Sequence, residues 1–107
     1  MLQAIYRKLV PDKQPKLESL FRKAMFWDVH MDRLSIKKDK EFIIDRVLAR
    51  NMLNPKYLEN LEKLYSVDLI KRVAIESNSI RGNEIIRFIA NRYGMAPESF
   101  RLFIPGI

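Results

Sequence analysis

The chain has 107 residues, the length of one domain, and 48% of them are hydrophobic, which is enough to form a buried core. It contains no cysteine and no apolar run long enough to cross a membrane, which excludes disulfides, thiolate zinc sites and a spanning helix. The net charge of +7 is concentrated near the N-terminus, because residues 1–27 carry six basic residues against two acidic ones.

The first 25 residues predict two short amphipathic helices. Val10-Pro11 ends the first, because the residue before a proline avoids the helical region, and Pro15 suits the first turn of the second. The two apolar stripes are Leu2, Ile5, Tyr6 and Leu9 in the first helix, and Leu17, Leu20, Phe21, Ala24 and Met25 in the second. Neither helix can bury its stripe alone, so we expect them to pack on each other or on the rest of the chain.

Residues 26–38 have no helical period and predict an extended or turn-rich connector that Phe26, Trp27 and Leu34 anchor in the core. Asp39 is the expected N-cap of the helix that follows. Apolar residues cover more than half of that helix, which predicts that it is central in the fold; they are Phe42, Ile43, Ile44, Val47 and Leu48.

Capping signals define the remaining helices. They are Asn54-Pro55 at the start of residues 55–65, Ser66 at the start of residues 67–77, and Gly94 at the end of residues 83–93. A last turn begins at Pro97. The patterns together predict an all-α fold, a compact bundle of about five short helices. We expect a single domain over residues 1–107, with a basic N-terminal helical pair at residues 1–25 and a helical core at residues 26–104.

The basic residues on the outer faces of the N-terminal pair are the candidate nucleic-acid-binding site. They are Arg7, Lys8, Lys16, Arg22 and Lys23. Clustered cations of this kind contact phosphates in nucleic-acid-binding proteins. A solvated basic face is the alternative interpretation.

Two acidic groupings are candidates for metal or acid–base chemistry. Asp28, His30 and Asp32 alternate and would share one face of an extended segment as ligands of a divalent ion, although exposed turn residues are the simpler interpretation. Glu41 and Asp45 lie one helical turn apart, and we expect the helix N-terminus and nearby cations to stabilise them. We therefore assign no metal site and no cofactor.

The helices at residues 55–65, 67–77 and 83–93 also fit a helix-turn-helix arrangement. The residues available to contact bases would be Lys71, Arg72, Asn83, Arg87, Asn91 and Arg92. Because any small helical bundle contains similar helix pairs, both interpretations stay open. The apolar tail around Phe100, Phe103 and Ile104 either folds back on the core or anchors a partner.

The chain offers no recognisable catalytic residues. It has one histidine, no cysteine and three glycines, and it lacks both the GxGxxG motif and the GxxxxGK[ST] loop. Hydrolytic triads and phosphate-cradling loops are therefore absent from the sequence. We expect a protein that is not an enzyme.

Several motifs between Phe26 and Phe103 form a familiar series. They are Phe26-Trp27-Asp28, Leu34-Ser35, the run from Asp39 through Phe42-Ile43-Ile44 and Arg46-Val47-Leu48, then Leu61, Leu64 and Tyr65, and finally Pro97-Glu98-Ser99-Phe100-Arg101. On these motifs the chain resembles an uncharacterised family of small α-helical proteins, chiefly from Bacteroidetes, that is known as a domain of unknown function. The resemblance implies an antitoxin-like or regulatory role by association, because in some genomes the genes of such family members look like neighbours of nucleotidyltransferase-type toxin genes. Asn51 and Ser66 stand where the pattern has glycines.

We therefore expect a non-enzymatic binding module. The first hypothesis is an antitoxin-like or regulatory protein that contacts nucleic acid through its basic N-terminal half. The second is a protein–protein interaction module whose apolar N-terminal or C-terminal surface meets a partner or a second copy, and an acidic protein would suit the basic face. The N-terminal charges follow the first apolar residues rather than precede them, so we expect no secretory signal, a cytoplasmic location and no membrane partner.

Overall fold

The computed structural model describes residues 17–106, and this part of the chain is all-α. Its five α-helices are α1 (Leu17–Leu20), α2 (Lys40–Ala49), α3 (Pro55–Leu64), α4 (Val67–Glu76) and α5 (Asn83–Tyr93). Three 3₁₀ helices lie between or after them, at Lys23–Phe26, Met31–Arg33 and Pro97–Ser99. The predicted fold class is confirmed. No helix within residues 17–106 combines the length and the apolar character that crossing a membrane requires.

The basic N-terminal pair is described only in part. The first predicted helix, with Leu2, Ile5, Tyr6 and Leu9, lies outside the described residues. The second is shorter than predicted: α1 ends at Leu20, Arg22 is extended with φ −74° and ψ 142°, and a 3₁₀ turn follows. A continuous helix would place Leu17 and Phe26 on opposite faces, since nine residues are about two and a half turns. The break allows both side chains to enter the core, with 3% and 1% of their surfaces exposed.

Helix α2 lies at the centre of the described fold, as the sequence predicts. It packs against α3, α4 and the turn at residues 23–26. Four of its side chains are fully buried: Ile43, Ile44, Val47 and Leu48. Phe42, also expected in the core, is 36% exposed.

The start of α2 differs from the prediction in its hydrogen bonds. Asp39 stands at the N-cap position, but its side chain caps no α2 amide. Instead, its Oδ2 accepts from the Ser35 N–H at 2.8 Å, and the Ser35 Oγ accepts from the Lys38 N–H at 3.1 Å. These bonds resemble a capping box moved one turn upstream. Residues 36–39 consequently form a turn that leads into the helix.

The other predicted caps are confirmed. The Asn54 side chain accepts from the Lys56 N–H at 3.0 Å, and the Ser66 Oγ accepts from the Leu69 N–H at 3.2 Å. Gly94 ends α5 in the left-handed region with φ 64°, which glycine adopts without a steric penalty. These signals depend on residues close in sequence, which is why the sequence alone locates them.

Trp27 does not lie in the core, contrary to the prediction. Its side chain is 73% exposed, whereas its neighbour Phe26 is buried. Successive side chains at the end of a helical turn point about 100–120° apart, so one of two adjacent aromatic residues faces inward and the other outward. The indole is therefore a surface group.

The C-terminal tail folds back on α5. Phe100 is 3% exposed, and the 3₁₀ turn at residues 97–99 packs against the helix. Asn83 fixes the tail through two bonds: its Nδ2 donates to the Ile104 carbonyl at 2.7 Å, and its Oδ1 accepts from the Ile104 N–H at 2.9 Å. Of the two alternatives for the tail, the structure therefore favours folding back.

Candidate nucleic-acid interface

Arg46 of α2 holds the turn that carries Trp27. Its Nη1 donates to the Met25 carbonyl at 3.1 Å and to Asp28 Oδ1 at 2.5 Å, and its Nη2 donates to Asp28 Oδ2 at 3.2 Å. The guanidinium also lies 4.8 Å from the Phe42 ring centroid, within cation–π distance. The hydrogen bonds from Arg46 hold the pKa of Asp28 below its ordinary value. The backbone is thus attached to α2 on both sides of Trp27.

The indole of Trp27 borders an open cleft of about 430 Å³. Lys23 and His30 line the same cleft, and Glu18 and Asp32 bring two carboxylates to it. The Val29 N–H donates to the Phe26 carbonyl at 3.0 Å, which closes a tight turn under the indole. This cleft thus combines aromatic rings with both signs of charge.

A second cleft, of about 300 Å³, also borders the 23–26 turn. Its lining residues are Arg22, Ala24, Met25, Arg50 and Met52. The Arg50 Nη1 donates to the Met25 carbonyl at 3.3 Å, and the Arg22 Nη1 lies 4.0 Å from the Met52 sulfur. Two guanidinium groups therefore border a largely apolar floor.

The loop that carries Met52 has an unusual backbone. Met52 and Leu53 have φ values of 54° and 60°, in the left-handed region that non-glycine residues rarely adopt. The Asn54 N–H donates to the Asn51 carbonyl at 3.0 Å and closes a turn with positive φ at both central residues, as in a type I′ turn.

Asn51 supports this turn from within the core. Its side chain is fully buried; its Nδ2 donates to the Leu48 carbonyl at 2.8 Å, and its Oδ1 accepts from the Leu53 N–H at 2.6 Å. Asn51 and Ser66 are the positions at which the resemblance led us to expect glycines. In this chain both side chains form hydrogen bonds that a glycine could not form.

The structure brings some of the sequence-predicted site residues together. Arg22 and Lys23 are exposed at the start of the 23–26 turn; Lys23 lines the cleft that Trp27 borders, and Arg22 lines the second cleft with Arg50. We call Arg22, Lys23, Trp27 and Arg50 the basic–aromatic surface. The predicted residues Arg7, Lys8 and Lys16 lie outside the described part of the chain.

Sequence reasoning missed Arg50 and the exposure of Trp27. For Arg50 a signal was present: Arg46 and Arg50 are four residues apart, so they share one face of the helix and its end. For Trp27 the sequence contained no such signal, since the hydrophobicity of its side chain favours burial as strongly as that of Phe26.

The acidic groupings do not form the arrangements considered from sequence. Met31–Arg33 is a 3₁₀ helix, so Asp28, His30 and Asp32 do not alternate along an extended strand, and Asp28 instead pairs with Arg46. Within residues 17–106, no three His, Cys, Asp or Glu side chains are grouped so as to hold a metal ion.

Glu41 and Asp45 also take separate partners. Glu41 pairs with Arg72 across 3.3 Å between two exposed side chains, and Asp45 accepts a hydrogen bond from the Ser77 hydroxyl. Neighbouring groups thus offset the repulsion between the two carboxylates, as expected, although the cation involved comes from α4.

Helices α4 and α5 offer few free groups to a DNA groove. Arg72 pairs with Glu41, and Arg87 lies 5.4 Å from the Phe103 ring centroid. Asn83 is occupied by the tail. The first turn of α4 carries an acidic residue, Asp68, where a recognition helix requires donors to bases.

Arg92 is similarly engaged by a partner within the protein. Its Nε and Nη2 donate to the two carboxylate oxygens of Glu62 at 2.7 and 2.8 Å, and the Tyr93 hydroxyl donates to the same carboxylate at 2.6 Å. The hydrogen bonds, chiefly those from Arg92, hold the pKa of Glu62 below its ordinary value. The basic–aromatic surface is therefore a better candidate interface than the helix pair.

Comparison with known proteins identifies the family of this chain and assigns no activity. No curated protein and no solved structure matches the chain. A family model described as "Family of unknown function (DUF6922)" matches residues 21–74, which is about half of the chain. The matched region runs from the turn that carries Trp27 through α2 and α3 and into α4. The chain therefore belongs to the family of unknown function DUF6922.

Proposed function

We propose that this chain is a non-enzymatic regulatory module that binds nucleic acid through the basic–aromatic surface. One observation carries the proposal: Lys23 lines the cleft that the exposed indole of Trp27 borders, and Arg22 and Arg50 line a second cleft at the same 23–26 turn. Cations that contact phosphates, together with an aromatic ring that contacts bases, are the usual elements of nucleic-acid-binding surfaces.

The charges of this surface are available to a ligand. The ion pairs of the described residues involve Arg46, Arg72 and Arg92, and none of them involves Arg22, Lys23 or Arg50. The other residues predicted from sequence, Arg7, Lys8 and Lys16, precede this surface in the sequence. A polyanion would gain these contacts without breaking an ion pair among residues 17–106.

The absence of catalytic function is also part of the proposal. The carboxylates considered for acid–base chemistry are held by partners of the fold, since Asp28 bonds to Arg46, Asp45 to Ser77 and Glu41 to Arg72. The antitoxin-like role comes from the resemblance of the sequence motifs between Phe26 and Phe103, and a nucleic-acid-binding regulator is consistent with it.

A salt titration of DNA binding tests the proposal. If Arg22, Lys23 and Arg50 each neutralise one phosphate, affinity for a fluorescein-labelled DNA duplex should fall about 40-fold between about 50 and about 200 mM salt. In the double variant Arg22→Ala with Lys23→Ala, the affinity should fall only about three- to fourfold over the same salt range, because a single cation of the three then remains.

Arg81→Ala with Arg101→Ala is the matched control, because it removes two exposed positive charges from the loop before α5 and from the C-terminal tail. It should leave the salt slope unchanged. The proposal is wrong if the protein fails to bind DNA at the lower salt concentration, or if the two double variants weaken binding equally.

A second candidate function is protein–protein interaction, with an acidic protein or a second copy as the partner. It is supported by the 53% exposure of Ile104 and by the exposed Pro105 and Gly106 after it. The apolar N-terminal face considered for the same role lies outside the described residues. Sedimentation velocity should then show self-association that Ile104→Asp abolishes, and a wild-type monomer at all concentrations would argue against a second copy as the partner.

A further inference from the structure

We infer that the nucleic acid is bound as a single strand, with an unpaired base laid against the indole of Trp27. This inference rests on the proposed function and specifies its ligand. Stacking on an exposed aromatic ring requires a base whose face is free, and a duplex buries both faces of every base between its neighbours.

The segment that carries the indole is held on both sides. Phe26, immediately before it, is buried in the core, and Asp28, immediately after it, forms a two-point bond with Arg46. The backbone on either side of Trp27 is therefore ordered before any ligand arrives, which lowers the entropy lost on binding.

The charges around the two clefts differ in a way that fits a nucleotide. The cleft at Trp27 includes the carboxylates of Glu18 and Asp32, which repel a phosphate but accept hydrogen bonds from the N–H groups of an unpaired base. The His30 ring in the same cleft is a second side chain of the kind that stacks on bases. The second cleft is bordered by the guanidinium groups of Arg22 and Arg50, and it suits a phosphate.

A duplex would present only phosphates to this region. It could contact Arg22, Lys23 and Arg50, but its bases could reach neither the indole nor the carboxylates without being flipped out. The arrangement therefore predicts a preference for single strands that arises from Trp27 and not from net charge.

The experiment uses the full chain and two probes: a twelve-nucleotide oligodeoxynucleotide without self-complementarity, and the same sequence as a blunt duplex. Trp27 is the only tryptophan in the chain, so its fluorescence reports directly on this site. We expect the single strand to quench the emission and the duplex to leave it nearly unchanged. Affinities measured by anisotropy of a fluorescein label should favour the single strand by about 5- to 150-fold per stacked base.

Two variants isolate the indole. Trp27→Ala should weaken single-strand binding by about 5- to 150-fold and leave duplex binding within about twofold. Trp27→Phe should retain part of the preference. Ile75→Ala, at an exposed apolar side chain of α4, is the matched control and should change neither affinity. Because the indole is mostly exposed, circular dichroism and the melting temperature should be the same for Trp27→Ala and the wild type.

The outcomes separate this inference from the proposed function. Equal affinity for both probes, or unquenched emission in the bound state, overturns the single-strand inference while the proposed function stands. Failure to bind either probe overturns both. A third outcome is that the emission changes only with protein concentration and that sedimentation detects a dimer which Trp27→Ala dissociates. This result would assign the indole to a self-association interface and would also overturn the inference.

Discussion

Replacement of Asn51 tests how the loop before α3 is held in its unusual conformation. Asn51→Ala removes the bond from Nδ2 to the Leu48 carbonyl and the bond from the Leu53 N–H to Oδ1, at a site that solvent does not reach. Each lost bond costs about 1–2 kcal/mol, because a carbonyl or an amide is left without a partner away from water. We therefore expect the free energy of unfolding to fall by about 2–4 kcal/mol, with a melting temperature roughly 10–20 °C lower.

Relief of the backbone strain should partly compensate for this loss. Leu53 has φ 60°, where a side chain costs roughly 1–2 kcal/mol and glycine costs nothing sterically. Leu53→Gly alone should change stability by less than about 1 kcal/mol, since the relief of strain is offset by the greater freedom of glycine in the unfolded chain. In the Asn51→Ala background Leu53→Gly should have a more favourable effect on the free energy of unfolding, because the Asn51 side chain then no longer holds the left-handed backbone in place.

Urea denaturation followed by circular dichroism provides the four free energies of this cycle. Asn78→Ala is the matched control, since that exposed side chain only meets Arg101 at 3.4 Å, and it should change stability by less than about 0.5 kcal/mol. If Asn51→Ala is as mild as the control, then the two short bonds do not support the turn and the reasoning fails. Additive effects of Asn51→Ala and Leu53→Gly would refute the coupling alone.

Two further predictions concern charged groups. The pKa values of Asp28 and Glu62 are lowered in the fold, so both carboxylates stabilise the folded state when they are ionised. This contribution is complete at pH values above their ordinary pKa values of 3.8 and 4.5, and it is lost as the pH falls through the lowered pKa values. Urea unfolding across this acid range should show the loss, and Glu62→Gln, which removes the carboxylate that Arg92 binds, should make the dependence less steep. Arg46→Lys keeps the charge but cannot form the two-point bond with Asp28, so the turn should loosen and the fluorescence anisotropy of Trp27 should fall. Unchanged anisotropy would show that Arg46 does not order the turn.

The origin of the candidate site shows where sequence reasoning ended. Arg22 and Lys23 could be predicted because a basic segment is visible in the sequence, and both residues are exposed in the structure. Arg50 joins them only because α2 packs against that turn, a contact between residues more than twenty positions apart. The role of Asn51 was also hidden, since a buried asparagine and a loop asparagine look identical in a sequence.

The sequence alone determined the elements of this protein that depend on near neighbours. The caps at Asn54, Ser66 and Gly94 and the apolar surface of α2 are local properties, because a cap bonds within one turn and an amphipathic stripe follows the helical period. Only the tertiary structure decided which of Phe26 and Trp27 is buried. Both residues gain free energy by leaving water, and packing against α2 leaves room for one of them. The exposed indole that results carries the proposed function.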